Sequence, residues 1–98
     1  MSSICTKEEY VQYTEKYVNA LEKSMKATAD YEIAKHKTRL KLYAKKAAGE
    51  KYTEEQIRTM SIVENEELYI EYMNASCRLE KARSVLECMK NIYNKEDK

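Results

Sequence analysis

Residues 52–57 read Tyr-Thr-Glu-Glu-Gln-Ile, which is a complete signal for the start of an α-helix. The Thr53 hydroxyl can accept a hydrogen bond from the Gln56 amide, and the Gln56 side chain can accept one from the Thr53 amide, which forms a capping box. Gly49, the one glycine of the sequence, lies just upstream, where a preceding helix needs a left-handed residue to end. The stretch therefore predicts a turn over residues 49–53, near the middle of the chain.

A similar helix start occurs near the N-terminus, where residues 6–9 read Thr-Lys-Glu-Glu. The chain has 98 residues and no proline, and Lys, Glu, Ala, Leu and Met favour helix along most of it. We therefore predict a single all-α domain over residues 1–98, folded as an antiparallel, coiled-coil-like hairpin. Helix one is expected over about residues 7–48 and helix two over about residues 54–94.

Both predicted helices carry apolar stripes at coiled-coil spacing. The stripe of helix two consists of Leu68, Tyr72, Ala75, Leu79, Ala82, Leu86, Met89 and Tyr93. The stripe of helix one consists of Val11, Thr14, Val18, Leu21, Met25, Ala29, Ile33, His36, Leu40, Tyr43 and Ala47. The steps between Met25 and Ile33 form a stutter, so a continuous helix with local unwinding or a bend near Thr28 is expected.

The stripe of helix two fails upstream of Leu68, where it falls on Arg58, Ser61 and Asn65. Ser61 and Glu64 have the spacing of another capping box. The alternative to one continuous second helix is therefore a short helix over residues 54–60 followed by a kink at Ser61.

Apolar surface remains after these stripes are paired, and two helices of this size rarely bury enough core to be stable alone. We therefore predict a homo-oligomer or a partner contact through this surplus. The interface residues predicted in this way are Ile70, Met73, Cys77, Tyr10, Tyr17 and Tyr31. The nine tyrosines suit such helix interfaces, because the ring packs while the hydroxyl stays solvated.

Residues 33–49 contain no acid and six cations. This pattern predicts a surface that contacts phosphates, with a tyrosine available to stack on bases. Its residues are Lys35, Lys37, Arg39, Lys41, Tyr43, Lys45 and Lys46. The same cations would also complement the helix C-terminus and the acidic start of helix two, and both interpretations stay open.

Several classes of function are disfavoured by the composition. The chain has 18 basic and 17 acidic residues, so its net charge of +1 favours no particular partner. Metal-ligand spacing, a glycine-rich phosphate loop and a nucleophile–base pattern are absent from the sequence, so we predict a non-enzymatic protein without cofactor or metal. The three cysteines, Cys5, Cys77 and Cys88, are expected to be reduced and partly buried, and His36 to lie in the core or an interface. A cytoplasmic location is expected, because neither a membrane-spanning run nor a signal peptide is evident.

The segment 37–93 resembles the recombination mediator family of tailed phages, small helical proteins that assist a RecA-like recombinase. The resemblance lies in the basic end of helix one (KTRLKLY, residues 37–43), the YTEE restart at residues 52–55, and ENEEL at residues 64–68 before a long amphipathic helix. It implies a homo-oligomer in the cytoplasm of a phage host that binds single-stranded DNA and helps to load recombinase onto DNA coated by single-strand binding protein. The implied backbone contacts are Lys37, Arg39, Lys41, Lys45 and Lys46, and Tyr43 is the implied stacking residue.

Two other functions are compatible with the sequence. The apolar surplus at Ile70, Met73 and Cys77 would suit a protein-binding inhibitor or adaptor of a mobile element, of the counter-defence type. An oligomer that sequesters a small anionic ligand between its subunits would also use lysine and tyrosine side chains at an interface.

Overall fold

The structure, a computed structural model, describes residues 6–96, with the side chains of residues 95 and 96 excepted. It contains three α-helices: α1 (Lys7–Ala47), α2 (Glu54–Val63) and α3 (Glu66–Glu96). No strand occurs within residues 6–96, so the predicted all-α class is confirmed for this part of the chain. The expected second helix is two helices, and α1 runs without interruption through Thr28.

The turn between α1 and α2 contains the helix-ending glycine and the capping box that its sequence predicts. Gly49 has a φ of +108°, and the Glu50 amide donates to the Lys45 carbonyl at 3.1 Å, as in a Schellman motif. At the start of α2, the Gln56 amide donates to Thr53 Oγ1 at 3.0 Å and the Thr53 amide donates to Gln56 Oε1 at 2.9 Å. This capping box satisfies two otherwise unpaired amides and gives α2 a defined first residue.

The break between α2 and α3 falls at Glu64 and Asn65 rather than at Ser61. In a continuous helix the Asn65 amide would donate to the Ser61 carbonyl, but here it donates to Ile62 O at 3.1 Å. The Asn65 side-chain amide replaces that bond, donating to Ser61 O at 2.7 Å and to Thr38 Oγ1 of α1 at 2.9 Å. The break lies beyond Ser61, where the alternative prediction put a kink, because Asn65 supplies the hydrogen bonds that compete with those of the helix.

Contacts divide the described chain into two compact units. Unit 1 includes residues 6–25 and 74–96, and unit 2 comprises Lys26–Met73. Helices α1 and α3 each contribute to both units, whereas α2 belongs to unit 2.

Unit 2 contains the buried apolar residues of the described chain: Tyr31, Leu42 and Ile57, which are 4%, 3% and 1% exposed. The Tyr31 ring stacks on Tyr72 at 5.4 Å between centroids, with 12° between the ring planes, and meets Tyr69 edge-on at 5.4 Å. Offset and edge-to-face tyrosine pairs of this kind add to the stabilisation from area burial alone. These contacts join α1 to α3 within unit 2.

Unit 1 is held by half-buried side chains. The Tyr10 and Tyr93 rings lie 5.2 Å apart, and Ser24 is 7% exposed. The residues of α3 predicted to face inward are all half-buried, those at 68 and 72 in unit 2 and the others in unit 1. Since no apolar side chain in the described part of unit 1 is fully buried, its packing is thin.

The inward face of α1 differs from the predicted one. Most of the predicted stripe is exposed, with the large apolar members between 42% and 69% accessible. These exposed residues are Val11, Val18, Met25, Ile33, Leu40 and Tyr43, and Ala29, His36 and Ala47 are exposed too. Thr14 and Leu21 of the predicted stripe are half-buried, and the other inward residues include a set spaced seven positions apart: Tyr10, Tyr17, Ser24, Tyr31 and Thr38.

Two physical reasons account for this correction. A tyrosine ring buries more area than valine or methionine, and paired rings gain from their mutual geometry. The inward hydroxyl of Thr38 also costs little, because it donates to Ala34 O at 3.1 Å.

The expectations for His36 and the cysteines need correction as well. The His36 side chain is 62% exposed, so it is not a core histidine, and its place in an interface stays a prediction. Cys77 and Cys88 are exposed free cysteines rather than partly buried ones. Cys5 lies outside the described residues.

Replacing Ile57 by alanine should lower the free energy of unfolding by about 2–5 kcal/mol, because its buried side chain would leave a cavity. Urea denaturation followed by circular dichroism measures the change. Ile33→Ala is the matched control, since Ile33 is 55% exposed and its truncation should cost less than about 1 kcal/mol. Equal losses for the two variants would contradict this account of the core.

Candidate nucleic-acid interface

Three of the predicted anion-binding cations are engaged within unit 2. Lys35 Nζ lies 3.0 Å from Glu32 Oε1 and 5.1 Å from the centroid of the Tyr31 ring, and its side chain is 16% exposed. Arg39 Nε donates to Ser61 Oγ at 3.4 Å, and the arginine is half-buried. These positions leave Lys35 and Arg39 little freedom to reach a ligand in solution.

Lys46 and Tyr43 meet the same carboxylate at the start of α2. Lys46 Nζ lies 3.3 Å from Glu54 Oε1, and the Tyr43 hydroxyl donates to Glu54 Oε2 at 2.5 Å. The bond from Tyr43, followed by that from Lys46, lowers the pKa of the Glu54 carboxyl, and the same bond to Glu54 raises the pKa of Tyr43. Tyr43 is 42% exposed, whereas its hydroxyl is held by Glu54.

The other three cations, Lys37, Lys41 and Lys45, form what we call the lysine row. They are exposed, are spaced four residues apart on α1, and make no ion pair within the described residues. A spacing of four residues puts successive lysines about 6 Å apart on one side of a helix. The row is therefore an unneutralised line of positive charge on unit 2.

The acidic start of helix two neutralises little of this charge. Across the turn, the Lys46–Glu54 contact is the ion pair that joins the basic stretch to α2 in the described chain. Glu55, Glu64, Glu66 and Glu67 are exposed and make no ion pair with described residues. Mutual neutralisation across the turn thus accounts for one lysine, and the helix dipole favours Lys45 in the last turn of α1, which leaves Lys37 and Lys41 of the row without such an explanation.

The predicted interface residues fall into two groups. Ile70 and Met73 are 49% and 42% exposed, and Cys77 is exposed as well. Tyr31 is buried in unit 2 and presents no surface to a partner, whereas Tyr10 and Tyr17 are half-buried in unit 1.

Unit 1 has a cationic surface that the sequence pattern did not reveal. Two depressions between α1 and α3 share Lys16 and Arg78 in their walls. We call them together the basic groove: exposed Lys16, Lys23, Arg78 and Lys81 surround half-buried Ala20, Ala75 and Ala82. The available signal was the seven-residue spacing of Lys16 and Lys23, but the groove exists only because α3 supplies its other wall.

The cations of the basic groove make no ion pair within the described residues. Lys16 Nζ lies 5.0 Å from the centroid of the Tyr13 ring, which also lines the groove. The groove therefore combines unpaired positive charge with small apolar side chains.

Clusters of three or more His, Cys, Asp or Glu side chains able to hold a metal ion are not found among residues 6–94.

None of the helices over residues 6–96 combines the length and the apolar character that crossing a membrane requires.

Comparison with known proteins gives no match to a protein family, to a curated protein or to a solved structure. The likeness to phage recombination mediators therefore rests on the residues quoted above.

Replacing Glu54 by glutamine should destabilise the protein at neutral pH and progressively less in acid. Since the folded-state pKa of Glu54 is lowered, its stabilisation is present above the ordinary pKa of 4.5 and is lost as the pH falls through the folded value. Urea denaturation of wild-type and Glu54→Gln proteins between about pH 7 and about pH 3 measures the difference.

Glu55→Gln is the control, because Glu55 lies in the same first turn of α2 but makes no ion pair within the described residues. Its effect should be smaller than that of Glu54→Gln at neutral pH. A Glu54→Gln deficit that stays constant over this pH range would refute the role assigned to the carboxylate.

Proposed function

We propose that the protein is a non-enzymatic accessory protein that folds as one antiparallel hairpin, self-associates, and binds single-stranded DNA. In this role it resembles a recombination mediator, for which a recombinase and a single-strand binding protein are the further partners. The lysine row is the observation that carries the proposal.

The lysine row has the features of a phosphate-contacting surface. Lys37, Lys41 and Lys45 are exposed and free of ion pairs with described residues, whereas the cations around them are engaged. The row is about 12 Å long, since it spans eight residues of helix at about 1.5 Å each. Phosphates along one DNA strand are about 3.4 Å apart when stacked, so the row can contact about three of them.

A stacking residue lies beside the row in the chain. Tyr43 is 42% exposed, and the bond to Glu54 fixes its hydroxyl. An exposed and oriented ring can receive a base without losing much conformational entropy.

The self-association part of the proposal rests on the balance of buried and exposed apolar residues. Three apolar side chains are buried in the described chain, whereas nine large apolar residues are at least 42% exposed. A core this small stabilises a chain of 98 residues poorly, so burial against a second copy would supply the missing apolar contact.

Replacing Lys37, Lys41 and Lys45 together by glutamine should abolish most binding to a fluorescent single-stranded oligonucleotide. Three phosphate contacts predict that log K falls with log salt at a slope of about −2, or roughly 16-fold between about 50 and 200 mM salt. Fluorescence anisotropy at these two salt concentrations measures both effects.

In the matched control, glutamine replaces three other exposed lysines, Lys7, Lys26 and Lys90, so the same net charge is removed. Its affinity should stay within about twofold of wild type if the row, and not the total charge, binds DNA. Absence of binding at about 50 mM salt, or equal losses in both triple variants, would rule out the proposed site. Effective competition by a mononucleotide would favour a small anionic ligand instead.

A protein-binding adaptor is the second candidate function, and one apolar row on α1 favours it. In unit 1, Val11, Val18 and Met25 are spaced seven residues apart and are 46%, 43% and 64% exposed. An amphipathic helix of a partner protein recognises apolar side chains at this spacing.

If this row binds a partner, the tagged wild-type chain should capture a specific protein from a bacterial lysate. Replacing Val11 and Val18 by serine should prevent that capture. Gln12→Ser with Asn19→Ser is the matched control, because both positions are exposed neighbours with the same spacing. Quantitative mass spectrometry of the captured proteins provides the comparison. Recovery of the tagged chain alone, or the same proteins with both variants, would count against an adaptor.

A further inference from the structure

Unit 2 carries an acidic counterpart to the basic groove of unit 1. Residues 59–73 contain four glutamates and no Lys or Arg. Three of them, Glu66, Glu67 and Glu71, are exposed on α3 and make no ion pair within the described residues. Ile70 lies between Glu67 and Glu71 in the sequence, Met73 follows Glu71, and both are exposed. We call these five residues the acidic face.

The helix dipole accounts for part of the acidic face. Glu66 and Glu67 lie in the first turn of α3, where the positive end of the helix favours carboxylates. Glu71 lies beyond that turn, and the exposure of Ile70 and Met73 has no such explanation. An acidic helix surface with two protruding apolar side chains has the features of a docking surface.

We infer that the basic groove of one copy receives the acidic face of a second copy. Lys23, Arg78 and Lys81 would meet the carboxylates, and the small side chains of Ala20, Ala75 and Ala82 leave room for Ile70 and Met73. Charge complementarity selects this occupant, because the cations of the groove and the glutamates of the face are unpaired within the described chain.

The contact is heterologous, because it joins two different surfaces of the same chain. Repetition of such a contact generates a closed ring or an open filament rather than an isolated dimer. The inference deepens the self-association part of the proposed function and rests on it. It is independent of the lysine row, which belongs to neither surface.

Charge reversal on each surface tests the contact. Variant A carries Lys23→Glu, Arg78→Glu and Lys81→Glu, and variant B carries Glu66→Lys, Glu67→Lys and Glu71→Lys. Each variant alone should self-associate at least tenfold more weakly than wild type. An equimolar mixture should recover assembly, because the reversed groove of A matches the reversed face of B while the unchanged surfaces match as well.

Sedimentation velocity at about 50 mM salt measures the assemblies, and about 500 mM salt should weaken the wild-type assembly by screening. Association of A or B alone at wild-type strength overturns the inference and leaves self-association standing through another surface. Weak association of both variants without recovery in the mixture also overturns it. A monomeric wild-type protein overturns both this inference and the proposed self-association, whereas DNA binding measured by anisotropy is judged separately.

A charge-neutral variant controls for misfolding of variant B, because the lysines of variant B in the first turn of α3 oppose the helix dipole. Glu66→Gln, Glu67→Gln and Glu71→Gln remove the attraction without that cost, and helicity measured by circular dichroism confirms folding. This variant should associate at least threefold more weakly than wild type, and unchanged association overturns the inference. Binding of vesicles of phosphatidylcholine and phosphatidylglycerol by a monomeric wild type, lost in variant A, would assign the groove to an anionic lipid surface and also overturn it.

Discussion

The side-chain amide of Asn65 is the interaction on which the arrangement of unit 2 depends. It donates to Ser61 O in place of the backbone amide, and to Thr38 Oγ1 on α1. One side chain thereby ends α2, satisfies a carbonyl that the break would leave unpaired, and ties the break to α1. Ser61 is fully buried at this point, and its hydroxyl donates to Arg58 O at 2.7 Å. Since polar groups buried without partners are costly, this network favours the broken helix over a straight one.

The break also decides which surfaces the chain displays. It gives α3 a new N-terminus, and Glu66 and Glu67 stand in its first turn, where carboxylates are favoured. Hydroxyl groups of α1 are bonded back to their own helix, at Thr14 in unit 1 and at Thr38 in unit 2. Because tyrosine, serine and threonine take inward positions of α1, several of its Val, Ile, Leu and Met residues are exposed, whereas Leu42 is buried. The small apolar core and the exposed apolar rows therefore both follow from which residues of α1 face inward.

Local signals predicted the end of α1 and the start of α2 well, because capping depends on residues close in sequence. The roles of Thr53, Gln56 and Gly49 follow from hydrogen bonds within one turn, and the inward face of α3 follows from its clear heptad of large and small residues. The face of α1 could not be predicted by hydropathy, because Tyr10, Tyr17 and Tyr31 rank below Val11, Val18 and Met25 on such a scale. Their seven-residue spacing was visible, but the serine at position 24 and the threonine at 38 concealed it. The apparent stutter belonged to the exposed residues, which follow a straight helix rather than a coiled-coil seam.

For the candidate sites, too, the sequence alone could not show which charged side chains are paired. An acid-free stretch was readable from residues 33–49, but the sequence could not separate the cations that bond to Glu32, Ser61 and Glu54 from those that remain free. The basic groove could not be predicted from the sequence, because its two walls are about 60 residues apart in the chain and each contributes only two cations.

The net charge of +1 conceals three regions whose charges are unpaired within the described residues: the lysine row, the basic groove and the acidic face. Charges of opposite sign that stay unpaired within one chain raise the free energy of the isolated molecule little in water. They can nevertheless direct association strongly, because desolvated pairs gain more than solvated ones. For a protein with a small core, this separation of charge is the physical basis of the assembly and anion binding that we propose.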